Sequence, residues 1–306
     1  MTLTRALGAA SAVVAGALAC AQAQAPPVPA FDGVRALEHT RALASIGPRV
    51  AGSPGAQPAR TYITRQLTVL GLDVREQPFE AVTPNGRVTM VNLRATLPGL
   101  AAPKLPPGAE ADRLIVAGHY DTKLFREFRF VGANDGGSSA AFLIELARVL
   151  KNRRNPIAIE LLFLDGEEAV AEWSDQDGTY GSRYYVEAAR KDGTLRGIKA
   201  LLLVDMIGDR DLRIQRDPNS TPWLTEIIWN AAARLKRREF VDEELAIEDD
   251  HLPFVRAGVP AVDIIDLDYP AWHTEDDTID KVSAGSLKAV GDVLLAALPE
   301  IEARLR

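Results

Sequence analysis

Cysteine is almost missing: Cys20 is the only one in 306 residues, so no intrachain disulfide can hold the fold. Histidine is scarce too, limited to His39, His119, His251 and His273, and any motif that uses one therefore carries weight. No long basic run exists. The formal net charge is -7, from 35 Lys and Arg against 42 Asp and Glu. That excludes a nucleic-acid binder, because phosphate contacts need clustered Lys and Arg. No apolar run reaches the roughly 20 residues of a membrane span. Internal repeats and dividing linkers are lacking as well. What remains is ordinary globular composition, 47% apolar and 25% charged, which rules out disorder and collagen-like structure. The length suits one large α/β domain or two small ones.

The first two dozen residues read as an address. Arg5 is the only charged side chain before Asp32, and an Ala/Val/Leu-rich run follows from Ala6 to Ala19. A charged start, a short apolar core and small residues at the end predict a signal peptide over 1–23, cleaved after Ala23 through Ala21-Gln22-Ala23. An uncleaved anchor is one alternative. A lipoprotein on Cys20 is another, but Ala17 stands where a large aliphatic residue usually precedes a lipidated cysteine. The expected mature chain, 24–306, has no cysteine and no membrane span. Export without disulfides suits a bacterial periplasm, so the expected location is periplasmic or secreted.

The mature chain reads as a single α/β domain. Helical spacing predicts helices over 33–46, 56–70, 137–152, 182–190, 222–237 and 284–304. Residues 88–95 read as a strand, and the Pro/Gly-rich stretch 97–108 as a surface loop. Short apolar runs at 114–117, 157–164 (interrupted by Glu160), 200–204 and 262–265 (around Asp263) read as strands buried on both faces. Strands alternating with helices predict a three-layer α/β/α sandwich with a mixed, mostly parallel central sheet.

Ionisable residues follow those runs closely. His119-Tyr120-Asp121 comes after the first, Asp165-Gly166-Glu167-Glu168 after the second, Asp205 after the third and Trp272-His273-Thr274 after the fourth. Gly132 to Gly137 precedes a helix, with Asp135 inside it. Ligands of open α/β sheets bind at the carboxyl ends of strands. Zinc takes imidazole nitrogen and carboxylate oxygen, and a catalytic site leaves one position open. His119, Asp135, Glu168, Asp205 and His273 are the candidate ligands. Singly, each has a plain reading: Asp135 as a helix cap, Asp205 as a turn residue, Glu168 as surface charge, either histidine as a structural one. Five in this order point to a metal site. Glu167 and Glu168 are adjacent, so in an extended segment their side chains diverge. One carboxylate can bind metal while the other carries protons.

The strings GHYDTK, GANDGGSS, DGEEA, LLLVDMIGD and WHTEDDT resemble the zinc-dependent aminopeptidase superfamily. RVAGSPG at 49–55, HYDTKLFREFRFVGAND at 119–135, FLDGEEAVAEWSDQDGTYGSR at 163–183 and IEDDHLPFVRAGVP at 247–260 narrow this to the glutaminyl-peptide cyclotransferase branch, the animal-type glutaminyl cyclases. The resemblance spans roughly Leu37 to Leu298. It implies a single zinc held by Asp135, Glu168 and His273, with Glu167 as acid/base and Asp205 and Asp249 in a hydrogen-bonded network with it. It implies a substrate pocket with Trp173, Trp272 and Ile247. It also implies that His119, a ligand of a second metal in aminopeptidases, is not a zinc ligand here. A cis peptide is expected at Asp135-Gly136. Asp263 replaces a pocket-side histidine of the animal enzymes, which bears on turnover and substrate choice.

The implied reaction joins the α-amine of an N-terminal glutamine to its own side-chain carbonyl in peptides or proteins. It yields pyroglutamate and ammonia, with the enzyme acting as a monomer. Trp173 and Trp272 are flat apolar walls suited to holding the ring-closing conformation, whereas Trp223 and Trp229 read as core. A zinc aminopeptidase with two metals on the same five ligands stays open, as does a non-catalytic binding domain. The intact Glu167 and ligand set weighs against the latter.

Overall fold

The computed structural model describes residues 29–100 and 111–306. The expected signal peptide over 1–23, its Cys20, and part of the expected loop 97–108 lie outside the described residues. Two helices, α1 (Gly33–Ile46) and α2 (Ala56–Val69), precede a hairpin of β1 (Val74–Thr83) and β2 (Gly86–Leu97). Strands and helices then alternate through β3 (Arg113–His119), α3 (Gly137–Leu150), β4 (Ala158–Leu164), α4 (Tyr180–Lys191) and β5 (Ile198–Asp205). An excursion of β6 (Ile214–Arg216), α5 (Pro222–Arg234), β7 (Phe240–Glu244) and α6 (His251–Arg256) leads to β8 (Ala261–Ile265) and α7 (Ala284–Arg304).

The main sheet has the order β1-β2-β4-β3-β5-β8. β3 pairs in parallel with β4 and β5, and β5 with β8, while β1–β2 and β2–β4 are antiparallel. The sheet is mixed and mostly parallel, as the alternation predicts. After β3 the chain steps to β4 on one side and then to β5 on the other. The direction of winding therefore reverses at β3, which opens a crevice at its carboxyl end.

Alternation along the central strands builds two cores. Leu114, Val116, Ile159, Leu161, Leu202 and Val204 face α1, α2, α3, α5 and α7. Ile115, Ala117, Leu162, Leu164, Leu201 and Leu203 face α4 and α6. That is the three-layer α/β/α sandwich, with Trp229 in the larger core and Trp223 packed against it. The charge inside β4, Glu160, is fully buried and meets Arg94 at 2.6 Å and Arg113 at 2.8 Å. Buried charge survives only when paired in this way. Among the described residues no helix is long and apolar enough to cross a membrane.

Candidate metal centre and active site

β3 ends on His119 and β5 ends on Asp205, side by side across the parallel pairing. His119 Nε2 lies 3.0 Å from Asp205 Oδ1 and 3.2 Å from Asp135 Oδ1. Asp135 comes from the turn before α3, and Glu168 from the bends after β4. His273 Nε2 lies 3.4 Å from Asp135 Oδ2 and 3.3 Å from Glu168 Oε1. Two donor sets result, His119/Asp135/Asp205 and Asp135/Glu168/His273, each with its ligand atoms within 4.8 Å of one another. Asp135 belongs to both. The structure brings all five sequence candidates together.

Opposite charges shift one another strongly in this cluster. Burial would raise the Asp135 carboxyl, but His119 and His273 hold it well below the usual range. Burial opposes protonation of His273, yet Asp135 and Glu168 push its pKa up to about 9. His119 is raised well above its ordinary value in the same way, by Asp205, Asp121 and Asp135 against burial. Asp135 Oδ2 is buried without a hydrogen-bond partner, an orphaned acceptor of the kind that a metal satisfies. His273 itself sits at φ +54, an unusual backbone state for a side chain that must be aimed.

Glu167 and Glu168 diverge. Glu168 turns to His273 and accepts from the Lys123 amide at 3.1 Å. Glu167 turns towards His119, with Oε2 3.9 Å from Nδ1. Burial pushes Glu167 well above the usual carboxylate range, with Glu168, Asp249 and Asp250 adding to it against the opposing pull of His119. Asp249 is also raised well above its ordinary value by burial and then Asp205, and its Oδ2 has no hydrogen-bond partner.

Asp135, Glu167, Glu168, Asp205 and His273 floor a cavity of about 410 Å³ lined also by Trp173, Ile247, Trp272 and Ile265. Trp272 stacks on His273 with ring centroids 4.4 Å apart. Asp263 does not line the cavity. Alternation on β8 sends Val262 and Ile264 into the larger core, so Asp263 turns to the opposite face, where its Oδ2 lies 3.7 Å from His251 Nδ1.

One expectation is corrected. No described peptide bond is cis, and Asp135-Gly136 is trans. The turn is made by Gly136 at φ +71. A Cβ there would stand 2.4 Å from Asp121 O, so glycine supplies both the conformation and the close approach.

Supporting residues escaped the sequence reading. Asp121 accepts from the amides of Glu167 and Glu168 at 3.2 and 3.4 Å. Asp277 accepts from the amides of Asn134 and Asp135 at 2.8 and 3.1 Å. Arg49, fully buried, donates to Tyr120 O, Val131 O and Gly132 O at 2.8, 2.6 and 2.9 Å. All three stand inside the recognised strings, which was the available signal, but their bonds go to backbone atoms that spacing cannot reveal.

Residues 102–298 match peptidase family M28. The chain is 32% identical over 258 residues to glutaminyl-peptide cyclotransferase of Drosophila melanogaster, covering 75% of this chain and 70% of that protein. It is 31% identical over 283 residues to a glutaminyl-peptide cyclotransferase-like protein of Mus musculus, covering 82% and 72%. Among solved structures, an Acidobacteriales bacterium glutaminyl cyclase superposes with a TM-score of 0.84 at 40% identity, over 93% of this chain and 99% of that one. The clustered candidate ligands and the extent of these matches lead to one conclusion: the chain belongs to peptidase family M28, in its glutaminyl-peptide cyclotransferase branch.

Proposed function

We propose that this chain is a zinc-dependent glutaminyl-peptide cyclotransferase that converts N-terminal glutamine of peptides to pyroglutamate with release of ammonia. The observation that carries the reading is the buried Glu167 carboxyl, free of the donor set Asp135/Glu168/His273 yet beside it on the floor of a tryptophan-walled cavity. One imidazole and two carboxylates suit zinc, and the orphaned Asp135 Oδ2 supports the fit. Asp135, Glu168 and His273 would hold the ion, which when bound supplies Lewis-acid polarisation of a carbonyl oxygen.

The chain's own residues do the rest. Glu167 takes a proton from the α-amine and later delivers one to the departing ammonia. A bond forms between the amine nitrogen and the side-chain carbonyl carbon, and the bond from that carbon to the amide nitrogen breaks. Water takes no part, so positioning matters most. Trp173, Trp272 and Ile247 would confine the glutamine side chain, with Asp205 and Asp249 beneath it sharing the proton load of Glu167. The enzyme is proposed to act as a monomer, exported through residues 1–23.

Sharing of Asp135 between two donor sets favours a second reading, an aminopeptidase with two ions. There His119 and Asp205 complete the second set, and Glu167 deprotonates an attacking water. The deciding assay offers zinc-loaded protein a Gln-initiated peptide and, separately, an aminoacyl amide. Ammonia with pyroglutamyl product, at one zinc per chain, is expected. Glu167→Gln should lower turnover by at least about 10²-fold with zinc content unchanged. Hydrolysis of the aminoacyl amide at two zincs per chain, with no pyroglutamate formed, would defeat the proposal.

A further inference from the structure

The rim of the cavity differs from its floor. Exposure rises from 2% at Asp135 to 40% at Trp173 and 42% at Trp272. Glu172 and Glu248 line this outer part and are both exposed. Trp173 Nε1 donates to Glu248 Oε2 at 3.2 Å, which places that carboxylate along the edge of the indole wall. The lysine that lines the cavity among the described residues is already engaged: Lys123 Nζ lies 3.6 Å from Glu168 Oε2 and donates to Ala169 O at 3.2 Å. Two nearby arginines are engaged as well. Arg256 pairs with Asp175 at 2.9 Å, and Arg183 donates to the carbonyls of Gln176 and Gly178. Among the described residues no cation pairs with Glu172 or Glu248. Independently of the rim, the orphaned Asp135 Oδ2 marks the floor as a ligand site.

Resting on the cyclase reading above, we infer that Glu172 and Glu248 select peptides with a basic residue directly after the N-terminal glutamine. The glutamine enters first, because the reacting groups are buried. The second residue is then left at the level of the exposed tryptophans, where the two carboxylates stand. A Lys or Arg there meets two negative charges, and a Glu or Asp is repelled by them. A long basic side chain also lays its methylene stem along an indole while its head reaches the carboxylates. Exposed charge pairs act weakly and are screened by salt, so the rim sets preference and leaves the chemistry to the floor.

The test compares kcat/KM for Gln-Lys-Ala, Gln-Ala-Ala and Gln-Glu-Ala amides at low ionic strength. The Lys peptide is expected to exceed the Glu peptide by about tenfold. That ratio should fall to within about twofold in Glu172→Gln/Glu248→Gln, and towards the same value for the unmodified enzyme in 0.5 M salt, roughly a 4 Å screening length. Glutamine at 248 keeps an oxygen acceptor for Trp173 Nε1, so the wall stays in place. A ratio near one in the unmodified enzyme, or a tenfold ratio that survives both the double substitution and salt, overturns the inference and leaves the cyclase reading standing. Failure of all three peptides to release ammonia from zinc-loaded enzyme overturns both.

Discussion

Asp263 shows how one buried residue can be read from its neighbours. It is 1% exposed, and neither carboxyl oxygen has a hydrogen-bond partner. Burial pushes its pKa well above the usual range, reinforced by Asp249, Asp217, Asp205 and Asp250. The group facing it is His251, which also meets Asp217 Oδ2 at 2.9 Å. The folded state therefore favours the neutral acid. A group with a raised folded pKa contributes stability that is full below its unfolded value, about 4, and is lost as pH rises through the folded value. Asp263→Asn keeps the shape and removes the titration. It should keep kcat/KM within about threefold, and its Tm relative to the parent should improve from pH 5 to pH 8.5. Asp263→His adds volume in a closed space, which costs about 1–3 kcal/mol, so its Tm should fall. Thermal melts of the three proteins at both pH values check this. A Tm difference between Asn variant and parent that does not change with pH would show that Asp263 is ionised in the folded state.

At the level of elements, Arg49 connects segments that otherwise only approach one another. Its guanidinium reaches Leu43 O and Gly47 O at the end of α1, Tyr120 O after β3, and Val131 O and Gly132 O ahead of Asp135. Burial lowers its pKa to about 10, which leaves it charged at neutral pH. Lysine keeps the charge but lacks the planar fork, and each buried carbonyl left unpaired costs about 1–3 kcal/mol. Arg49→Lys should lower Tm by several degrees and weaken zinc binding by about 10–100-fold, the usual effect of losing a support behind a ligand. Melting and competition with a chromophoric chelator measure the two. A lower Tm with unchanged zinc affinity would mean that Arg49 braces α1 alone.

The same contrast explains which elements the sequence revealed. β3, β4, β5 and β8 are buried on both faces and appear as apolar runs. The long helices appear through their spacing. β1 escaped because it is an edge strand whose exposed positions carry Arg75, Glu76 and Glu80, with Pro78 among them. β6 has three residues and α6 has six, with Pro253 inside, too short for any period to register. The candidate ligands were legible because they lie at or shortly after the apolar runs, where His119 and Asp205 end β3 and β5. Arg49, Asp121 and Asp277 act on backbone groups brought close only by the fold.

Across the whole molecule, the carboxyl groups buried by the fold set its response to pH. Burial pushes Asp165, Asp250, Asp266 and Asp277 up to about 7. Glu167, Asp249 and Asp263 move in the same direction, and His273 rises to about 9. Each of these groups holds its proton more tightly folded than unfolded. Their stabilisation is full below about pH 4, under the unfolded carboxylate and histidine values, and is lost as pH climbs through 7 and towards 9. Asp135, Asp177 and Asp217 run the other way, since their depressed pKa values contribute above about pH 4 and are lost in acid. The metal-free protein should therefore melt lower at pH 8 than at pH 5.5. Zinc reverses the balance, because its ligands must be deprotonated to bind and the bound charge favours the ionised carboxylates around it. The rise in Tm on adding zinc should be larger at pH 8 than at pH 5.5, by several degrees. Calorimetry of chelator-treated and zinc-loaded protein at both pH values tests this. A metal-free Tm that increases from pH 5.5 to pH 8 would mean that these carboxyls are ionised in the folded chain. Their repulsion would then have to be relieved by surrounding cations rather than by retained protons.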